Sequence, residues 1–331
     1  VASSAAAGFW ALEEMARNTE AVGSNNWAVA GRLTPDGGAL VANDMHLGIR
    51  VPNTWYRAAW EWPDHTMYGV TLPGVPAMVV GSNTHIAWGF TNTYADWSDI
   101  VLLETDPARS SFYRSPEGWK AIIAHDETIE VAGQPAQRHV VQWTEWGPLL
   151  GPDHRGRGRA YRWVAHSAER LAASVQPLED ARTIEEAFDG ANGLGTPGQN
   201  FVVADRSGRI GWTIYGSIPR RSGFDGQYPA SWADPGPGWA GWLEDAEYPR
   251  FVVGRDGRIW TANARVVGGD LLARLGDGSY EVGSRARIIR DRLMAQERFT
   301  PRDMLDIQLE ARADFLARWR ELILTTLTPE R

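Results

Sequence analysis

The pattern of apolar and polar positions along the chain changes from helical to β-type within the first thirty residues. In residues 8–18, Phe9, Leu12, Met15 and Ala16 have the spacing of one helix face. Short apolar runs follow at residues 27–33, 39–42, 54–60, 67–71, 77–81 and 85–90, separated by turn-forming residues. Because the gaps between these runs are turn-sized, we predict antiparallel strands.

The rest of the chain mixes strands with helices. A second β-rich stretch covers residues 110–165, a hairpin covers 200–215, and a short strand covers 260–264. Helices are predicted at 183–191, where Thr183 and Glu186 suit a capping box, at 284–298, and at 301–327, where Thr300 precedes Pro301. This order predicts an α+β protein with antiparallel sheets and argues against a doubly wound nucleotide-binding fold.

Composition narrows the classes of protein. The 331 residues are 43% hydrophobic and 22% charged, which is typical of a large globular protein. The net charge of −8 argues against binding of nucleic acid, and no apolar run reaches the roughly 18 residues that span a bilayer. The chain has no cysteine, which excludes disulfides, thiol catalysis and cysteine-bound zinc.

Several familiar motifs are missing from the sequence or lack their context. Residues 236–241 fit the string GxGxxG, but no predicted strand precedes them and Pro237 occupies the tight turn. No serine lies in a GxSxG motif, and the seven histidines lack metal-ligand spacing. Packing in a sheet-rich protein accounts for the 17 tryptophans, while an aromatic substrate pocket or a carbohydrate-binding surface is the alternative.

The pair Gly23–Ser24 is a candidate for self-cleavage. Glycine permits a strained backbone beside the serine hydroxyl, which could attack the Gly23 carbonyl to form an ester. Hydrolysis of that ester would leave an N-terminal serine, whose amine has a reference pKa of about 8 and could serve as its own general base. On these two residues alone, an ordinary turn into a strand is the commoner interpretation.

Seven segments, taken in order, give the Gly23–Ser24 pair more weight. They are SNNWAV at 24–29, NDMHL at 43–47, LPGVP at 72–76, GSNTHIAWG at 81–89, DWSD at 96–99, QNFVVAD at 199–205 and TANA at 261–264. From Gly23 to about Arg298, the chain resembles the start of the β subunit in the penicillin acylase family of N-terminal nucleophile hydrolases. The resemblance implies an αββα sandwich of stacked antiparallel sheets with flanking helices.

The resemblance also implies a precursor that is cut between Gly23 and Ser24. Residues 1–23 would then be the end of the spacer, and residues 24–331 the N-terminal part of the β subunit, in a fragment that continues beyond both ends. The implied partners are a small-molecule amide and the protein's own α subunit, with no nucleic acid and no membrane. A periplasmic or secreted location is expected from the same resemblance.

Catalytic roles follow from the resemblance position by position. Ser24 corresponds to the nucleophile and base, and His46 to a pocket residue near its hydroxyl and amine; a packed histidine at a strand end is the alternative. Asn92 corresponds to the residue whose backbone N–H faces the oxyanion. Asn263 corresponds to the side-chain amide that donates to the same oxyanion. Two donors fixed where charge develops would stabilise the transition state strongly.

Further roles are implied for a helix and for the acyl pocket. Arg287 is expected to orient Asn263, and Arg285, on the same predicted helix, is the competing assignment. Leu47 and Val80 correspond to positions that line the acyl pocket. Because both side chains are aliphatic here, an aliphatic or broad acyl group is favoured over a strict phenylacetyl group.

A structural calcium ion is a further expectation of the resemblance. Asp96, Ser98 and Asp99 correspond to a site in some family members, and two carboxylates with a carbonyl from one loop suit this oxygen-seeking cation. A loop with capping aspartates is the alternative. No cofactor is expected for catalysis.

Three hypotheses on function therefore stand. The first is an amidohydrolase, with β-lactam amides, N-acyl-homoserine lactones and other linear amides as candidate substrates. The second is a non-catalytic homologue that serves as a binding or structural module. The third is a carbohydrate-binding protein that uses exposed tryptophans, and it rests on composition alone.

Overall fold

The computed structural model describes residues 23–327 except residues 49, 171–175, 194–197, 254–256 and 277. The helix predicted at 8–18 and nearly all of the predicted spacer lie outside the described residues. The strands are β1 (Gly23–Val29), β2 (Leu40–His46), β3 (Tyr56–Trp62), β4 (His65–Thr71), β5 (Val80–Ser82), β6 (Ile86–Asn92), β7 (Ser98–Leu102), β8 (Thr105–Asp106), β9 (Arg109–Ser115), β10 (Gly118–Ala121), β11 (Ile123–Ile129), β12 (Gln137–Thr144), β13 (Gly147–Leu150), β14 (Arg159–Trp163), β15 (Gln199–Asp205), β16 (Ile210–Tyr215), β17 (Pro219–Ser222), β18 (Ala230–Ser231), β19 (Gly238–Trp242), β20 (Phe251–Val253) and β21 (Arg258–Thr261). The helices are α1 (Gln176–Asp180), α2 (Ile184–Ala191), α3 (Gly269–Leu275), α4 (Ser284–Met294), α5 (Pro301–Gln308) and α6 (Ala317–Thr326).

Two antiparallel sheets form the centre of the molecule. Sheet I has the strand order β2-β1-β21, and sheet II has the order β20-β16-β15-β6-β5-β4-β3. Ala28 of β1 is fully buried in one apolar cluster with Val202 and Ile214 of sheet II. The two sheets approach so closely that a Cβ added at Gly89 of β6 would lie 2.1 Å from the side-chain nitrogen of Asn26.

Helices cover the outer faces of both sheets. Because side chains alternate along a strand, Trp27 and Val29 point away from sheet II, and they pack in a cluster with Leu293 of α4 and Met304 of α5. On the other side, α2 packs against sheet II through Phe188 and its neighbours. The layers therefore run helix, sheet, sheet, helix, which confirms the predicted αββα sandwich.

The predicted strands and helices are mostly confirmed, with one clear correction. The helix predicted at 301–327 is two α-helices, α5 and α6, separated by an irregular stretch and a single 3-10 turn at Asp314–Leu316. Met304 and Ile307 of α5 are buried against sheet I, whereas α6 buries no side chain. Glu310, between the two helices, forms ion pairs with Arg292 and Arg312, which favour the turn over a continued helix. The short helices α1 and α3 and the strands β17, β18, β19 and β20 were not predicted.

The remaining strands form a β-rich region beside the sandwich. Its six-stranded sheet has the order β11-β12-β13-β14-β7-β18, and β17 pairs with β19 in a separate ribbon. Among the tryptophans, Trp27, Trp88 and Trp212 are at most 2% exposed, and Trp232 packs in the core of the β-rich region. These positions agree with the packing interpretation of the tryptophan content.

Candidate active site

Ser24 lies within β1, the middle strand of sheet I, and not before the strand as the sequence suggests. It is the second residue of β1, opposite Met45 of β2, and its neighbour Gly23 lies opposite His46. Both residues are partly exposed, whereas the next residues of β1 are buried. The strand therefore holds the serine at its open end, where the hydroxyl can meet a small molecule.

Asn263 contacts both reactive atoms of Ser24. It follows β21, which pairs with β1 through Thr261 opposite Asn26. The Asn263 carbonyl oxygen Oδ1 accepts the Ser24 N–H at 2.8 Å, and its Nδ2 donates to Ser24 Oγ at 3.3 Å. The backbone of Asn263 is left-handed, with φ of 63°, and the residue is fully buried. An asparagine tolerates this conformation better than most residues, which suits a side chain that must turn back toward the nucleophile.

Asn92 presents its backbone to the same place. Its carbonyl accepts a hydrogen bond of 2.9 Å from Asn263 Nδ2. Two residues earlier on β6, the N–H and carbonyl of Phe90 both bind the side chain of Asn43. Because alternate residues of a strand present their backbone groups to the same edge, the N–H of Asn92 is directed toward the Asn263 side of β6. The Asn92 side chain instead accepts from the Tyr94 N–H.

Arg285, and not Arg287, contacts Asn263. The guanidinium of Arg285 donates through Nη2 to Asn263 Oδ1 at 2.8 Å and through Nη1 to the Ser24 carbonyl at 2.8 Å. Arg287 is 67% exposed and pairs with Asp291 on its own helix at 3.7 Å. Two residues along a helix rotate a side chain by about 200°, so the two arginines of α4 point in opposite directions. Burial lowers the pKa of Arg285.

Gly23 fits the space between Arg285 and His46 only because it has no side chain. A Cβ at this position would lie 2.9 Å from Arg285 Nη2 and 3.2 Å from His46 Nδ1. His46 Nε2 lies 3.1 Å from Asp44 Oδ2. The same nitrogen lies 3.1 Å from Asn25 Nδ2, and the other ring nitrogen, Nδ1, lies beside Gly23. His46 is thus adjacent to the predicted cleavage site, and Asp44 and Asn25 contact the ring nitrogen on its far side.

A cavity of about 400 Å³ opens beside Ser24 and Asn263. Leu47 and Val80 both line it, as the sequence predicts, although Leu47 is 44% exposed. Burial raises the pKa of Tyr215 in its wall to about 12, so this phenol is neutral. The other side chains of the wall are mostly apolar: Met45, Trp55, Val75, Ala77, Met78, Val79, Phe90 and Leu178.

Arg221 contacts two of the three residues predicted to bind calcium, Asp96 and Asp99. Arg221 Nε lies 3.0 Å from Asp99 Oδ2, and Arg221 Nη2 donates to the Asp96 carbonyl at 2.9 Å. Ser98 begins β7, opposite Trp163 of β14. Within the described ranges, no group of three or more histidine, aspartate or glutamate side chains is arranged to hold a metal ion. The Arg221 guanidinium pairs with the Asp99 carboxylate, one of the ligands expected for calcium, so these residues do not fit that ion.

Three contributors to the site were not singled out from the sequence. Asn25 accepts from Arg285 Nη1 at 2.7 Å through its Oδ1. The Asn43 side chain joins β1 to β6, donating to the Asn25 carbonyl at 2.7 Å and to the Phe90 carbonyl at 3.0 Å. Asp44 contacts His46. The only sequence signal for the last two was their place in the NDMHL segment.

The fold and the site together define a class of protein: an αββα sandwich with a serine at the open end of a central strand, contacted by an asparagine amide. The chain belongs to the penicillin amidase family, whose model matches residues 2–330. In a comparison with solved structures, it is similar to a thermostable penicillin G acylase from Alcaligenes faecalis, with a TM-score of 0.76 and 19% identity over 93% of this chain and 56% of that one.

Curated relatives include enzymes with two kinds of name. The chain is 30% identical over 309 residues to acyl-homoserine lactone acylase QuiP of Pseudomonas aeruginosa, which covers 89% of this chain and 36% of the relative. It is 27% identical over 295 residues to penicillin acylase 2 proenzyme of Pseudomonas sp., which covers 87% and 37%. The chain thus spans little more than a third of the length of these relatives. No helix in the described part of the chain is long and apolar enough to cross a membrane.

Proposed function

We propose that this chain carries the catalytic centre of an amide hydrolase whose nucleophile is Ser24, freed by cleavage of the Gly23–Ser24 bond. The observation that supports the proposal most directly is the contact of one side chain, Asn263, with both the nitrogen and the hydroxyl of Ser24. The nitrogen would become the base and the hydroxyl the nucleophile. The proenzyme name of one relative agrees with a precursor that is cut.

The first reaction is the self-cleavage of the precursor. Ser24 Oγ attacks the Gly23 carbonyl and loses its proton, for which His46 Nδ1 beside Gly23 is the acceptor we propose. The C–N bond then breaks, the Ser24 nitrogen takes a proton and the acyl group moves to oxygen as an ester. Water hydrolyses the ester to give a Gly23 carboxylate and a free N-terminal serine.

The second reaction is the hydrolysis of the substrate amide. The Ser24 amine takes the hydroxyl proton as Oγ attacks the substrate carbonyl, and the oxyanion receives hydrogen bonds from Asn263 Nδ2 and the Asn92 N–H. The tetrahedral intermediate collapses, and the leaving amine takes the proton. Water then hydrolyses the acyl-serine ester. These steps need no cofactor.

The acyl group is proposed to occupy the cavity beside Ser24. A wall that includes leucine, valine and methionine side chains beside Trp55 and Phe90 suits a flexible aliphatic chain, which burial of apolar surface stabilises. This favours N-acyl-homoserine lactones within the proposed class of linear amides, in line with the name of the 30% identical relative. β-Lactam amides are the second candidate, in line with the penicillin acylase relatives.

The biological setting follows as part of the same proposal. The active enzyme would pair the chain that begins at Ser24 with an α subunit from the same precursor, and it would act in the periplasm or after secretion. Structural calcium is left out of the proposal, because Arg221 is paired with the Asp99 carboxylate expected to bind it.

The proposal is tested on the full-length precursor. Intact-mass measurement and N-terminal sequencing should find a chain that begins with Ser24 in the wild-type protein and an uncut chain in Ser24→Ala. The cut enzyme should hydrolyse members of a panel of short and long acyl-homoserine lactones and phenylacetyl amides. An uncut wild-type protein, or a Ser24→Ala variant that still hydrolyses the amides, would refute the proposal and favour a non-catalytic homologue.

A further inference from the structure

Asp99 is a buried carboxylate whose oxygens are engaged by side chains of one β-ribbon. Its side chain is 3% exposed, and that of Arg221 is 9% exposed. Arg221 and Trp239 are direct cross-strand partners in the β17–β19 pair. Arg221 Nε lies 3.0 Å from Oδ2 and 3.3 Å from Oδ1, and Trp239 Nε1 donates to Oδ2 at 2.6 Å. The carboxylate is therefore compensated by one full positive charge and an indole donor.

The local backbone is shaped to admit the arginine. A Cβ at Gly226 would lie 2.5 Å from Arg221 Nε, and Gly226 has a left-handed φ of 81°. The register of the β17–β19 pair shifts between Pro219 and Arg221. The flat guanidinium thus packs against Gly226, which has no side chain. A surface arginine would not need such a close fit. The neighbouring Arg220, in contrast, is 39% exposed and pairs with Glu247.

The same guanidinium reaches the segment that follows Asn92. Arg221 Nη2 donates to the carbonyl of Asp96 at 2.9 Å. This segment is fixed at its other end by Thr93 Oγ1, which donates to the Gly198 carbonyl at 2.9 Å. Arg221 therefore joins the β17–β19 ribbon to the residues between β6 and β7, directly after the backbone that faces Asn263.

A divalent cation cannot share the Asp99 carboxylate with the arginine. Calcium takes six to eight oxygens at about 2.3–2.6 Å, and it would need the Asp99 oxygens to which Arg221 and Trp239 already donate hydrogen bonds. A second positive charge there would be repelled in a poorly solvated place. The chemistry of the donor set thus matches an organic cation supplied by the chain.

We propose that Arg221 is the built-in cation of this site, a positioning residue that fixes the segment between β6 and β7 without calcium. The proposal concerns folding and metal dependence, and it stands whether or not Ser24 is the nucleophile. Removing Arg221 leaves a buried carboxylate without its counter-charge, whereas removing Arg220 breaks a half-exposed pair with Glu247 and a hydrogen bond of 3.3 Å to the Trp242 carbonyl.

The experiment is thermal unfolding of the full-length protein with EDTA and with millimolar calcium. The wild-type midpoint should be the same in both, and the metal content of the purified protein should lack stoichiometric calcium. Arg221→Met should lower the midpoint by about 5–15 °C, and its matched control Arg220→Met by under about 2 °C. A calcium-dependent wild-type midpoint, or equal effects of the two variants, would overturn the proposal.

A second comparison guards against a variant that fails to fold. The double variant Asp99→Asn with Arg221→Met removes both charges, so it should unfold at a higher temperature than Arg221→Met alone. Arg221→Lys keeps the charge and should recover part of the loss. If the double variant is less stable than the single one by the full effect of Asp99→Asn alone, the two residues are not coupled and the proposal is wrong.

Discussion

Replacing Asn263 by glycine separates two contributions of this residue, its side-chain amide and its backbone conformation. The substitution removes the Nδ2 donor to Ser24 Oγ and the Oδ1 acceptor of the Ser24 N–H. It leaves the left-handed backbone at φ of 63° without strain, because glycine has no Cβ. Asn263→Ala removes the same amide but keeps a Cβ in a left-handed conformation, which costs about 1 kcal/mol.

The magnitudes differ for activity and for stability. Loss of one oxyanion donor costs roughly 100- to 1,000-fold in turnover, or about 2.7–4 kcal/mol of transition-state stabilisation, and this should be the same for both variants. Both also leave Arg285 Nη2 without its Asn263 acceptor, which costs about 1–3 kcal/mol of folding free energy. Because this cost is the same for both variants, only the backbone strain of about 1 kcal/mol in the alanine variant separates them. The alanine variant should therefore unfold about 2–4 °C below the glycine variant.

The assay is the turnover of cut enzyme, counted by titration of the N-terminal serine, together with thermal unfolding of each variant. Counting only cut molecules is necessary because Asn263 also holds the Ser24 N–H before cleavage. Retention of more than a tenth of the wild-type turnover in Asn263→Gly would show that the amide is not an oxyanion donor. An alanine variant as stable as the glycine variant would refute the argument from backbone strain.

Three further predictions concern the arginines, the cavity and Tyr215. Arg285→Met should lower turnover at least tenfold while Arg287→Met changes it less than twofold, because only Arg285 touches Asn263; equal effects in steady-state kinetics would contradict this. Val80→Trp should fill the cavity and lower kcat/KM for long acyl chains more than for short ones, and a uniform loss across a chain-length series would refute the placement of the acyl group. The pKa of Tyr215 is raised to about 12 from an unfolded value of about 10, so its contribution is complete below pH 10 and is lost as the pH rises toward 12. The free energy of unfolding should then fall less steeply between pH 10 and 12 in Tyr215→Phe, and identical slopes would argue against the burial of an ionisable phenol.

Local sequence patterns predicted several of the strands and helices, whereas the order of the layers was implied by the family resemblance. The hairpin at 200–215 and the helix capped by Thr183 were predicted from turn residues, period and capping, and the structure has strands at Gln199–Asp205 and Ile210–Tyr215 and a helix at Ile184–Ala191. These strands and helices are determined mainly by interactions within about a dozen residues. Hydrophobic periodicity is detected over windows of about the same length.

The geometry of the site was beyond such patterns. Ser24 and Asn263 are 239 residues apart, and only the pairing of β1 with β21 brings them together. The choice between Arg285 and Arg287 depended on the rotation of α4 about its axis, which the sequence spacing leaves open. Arg221 and Asp99 are 122 positions apart, so the sequence of the acidic loop alone could not predict that Arg221 pairs with Asp99.

The pairing of β1 on both of its edges has a consequence for the cut chain. A new N-terminus usually frays, because the first residues of a chain have few contacts. Here the residues directly after Ser24 are buried in a strand that pairs on both edges. Cleavage of the Gly23–Ser24 bond would therefore create an N-terminus that is held in place and does not fray. The amine would remain where the peptide nitrogen had been. A mobile serine would have to lose rotational entropy in each turnover, whereas this serine loses it once, during folding.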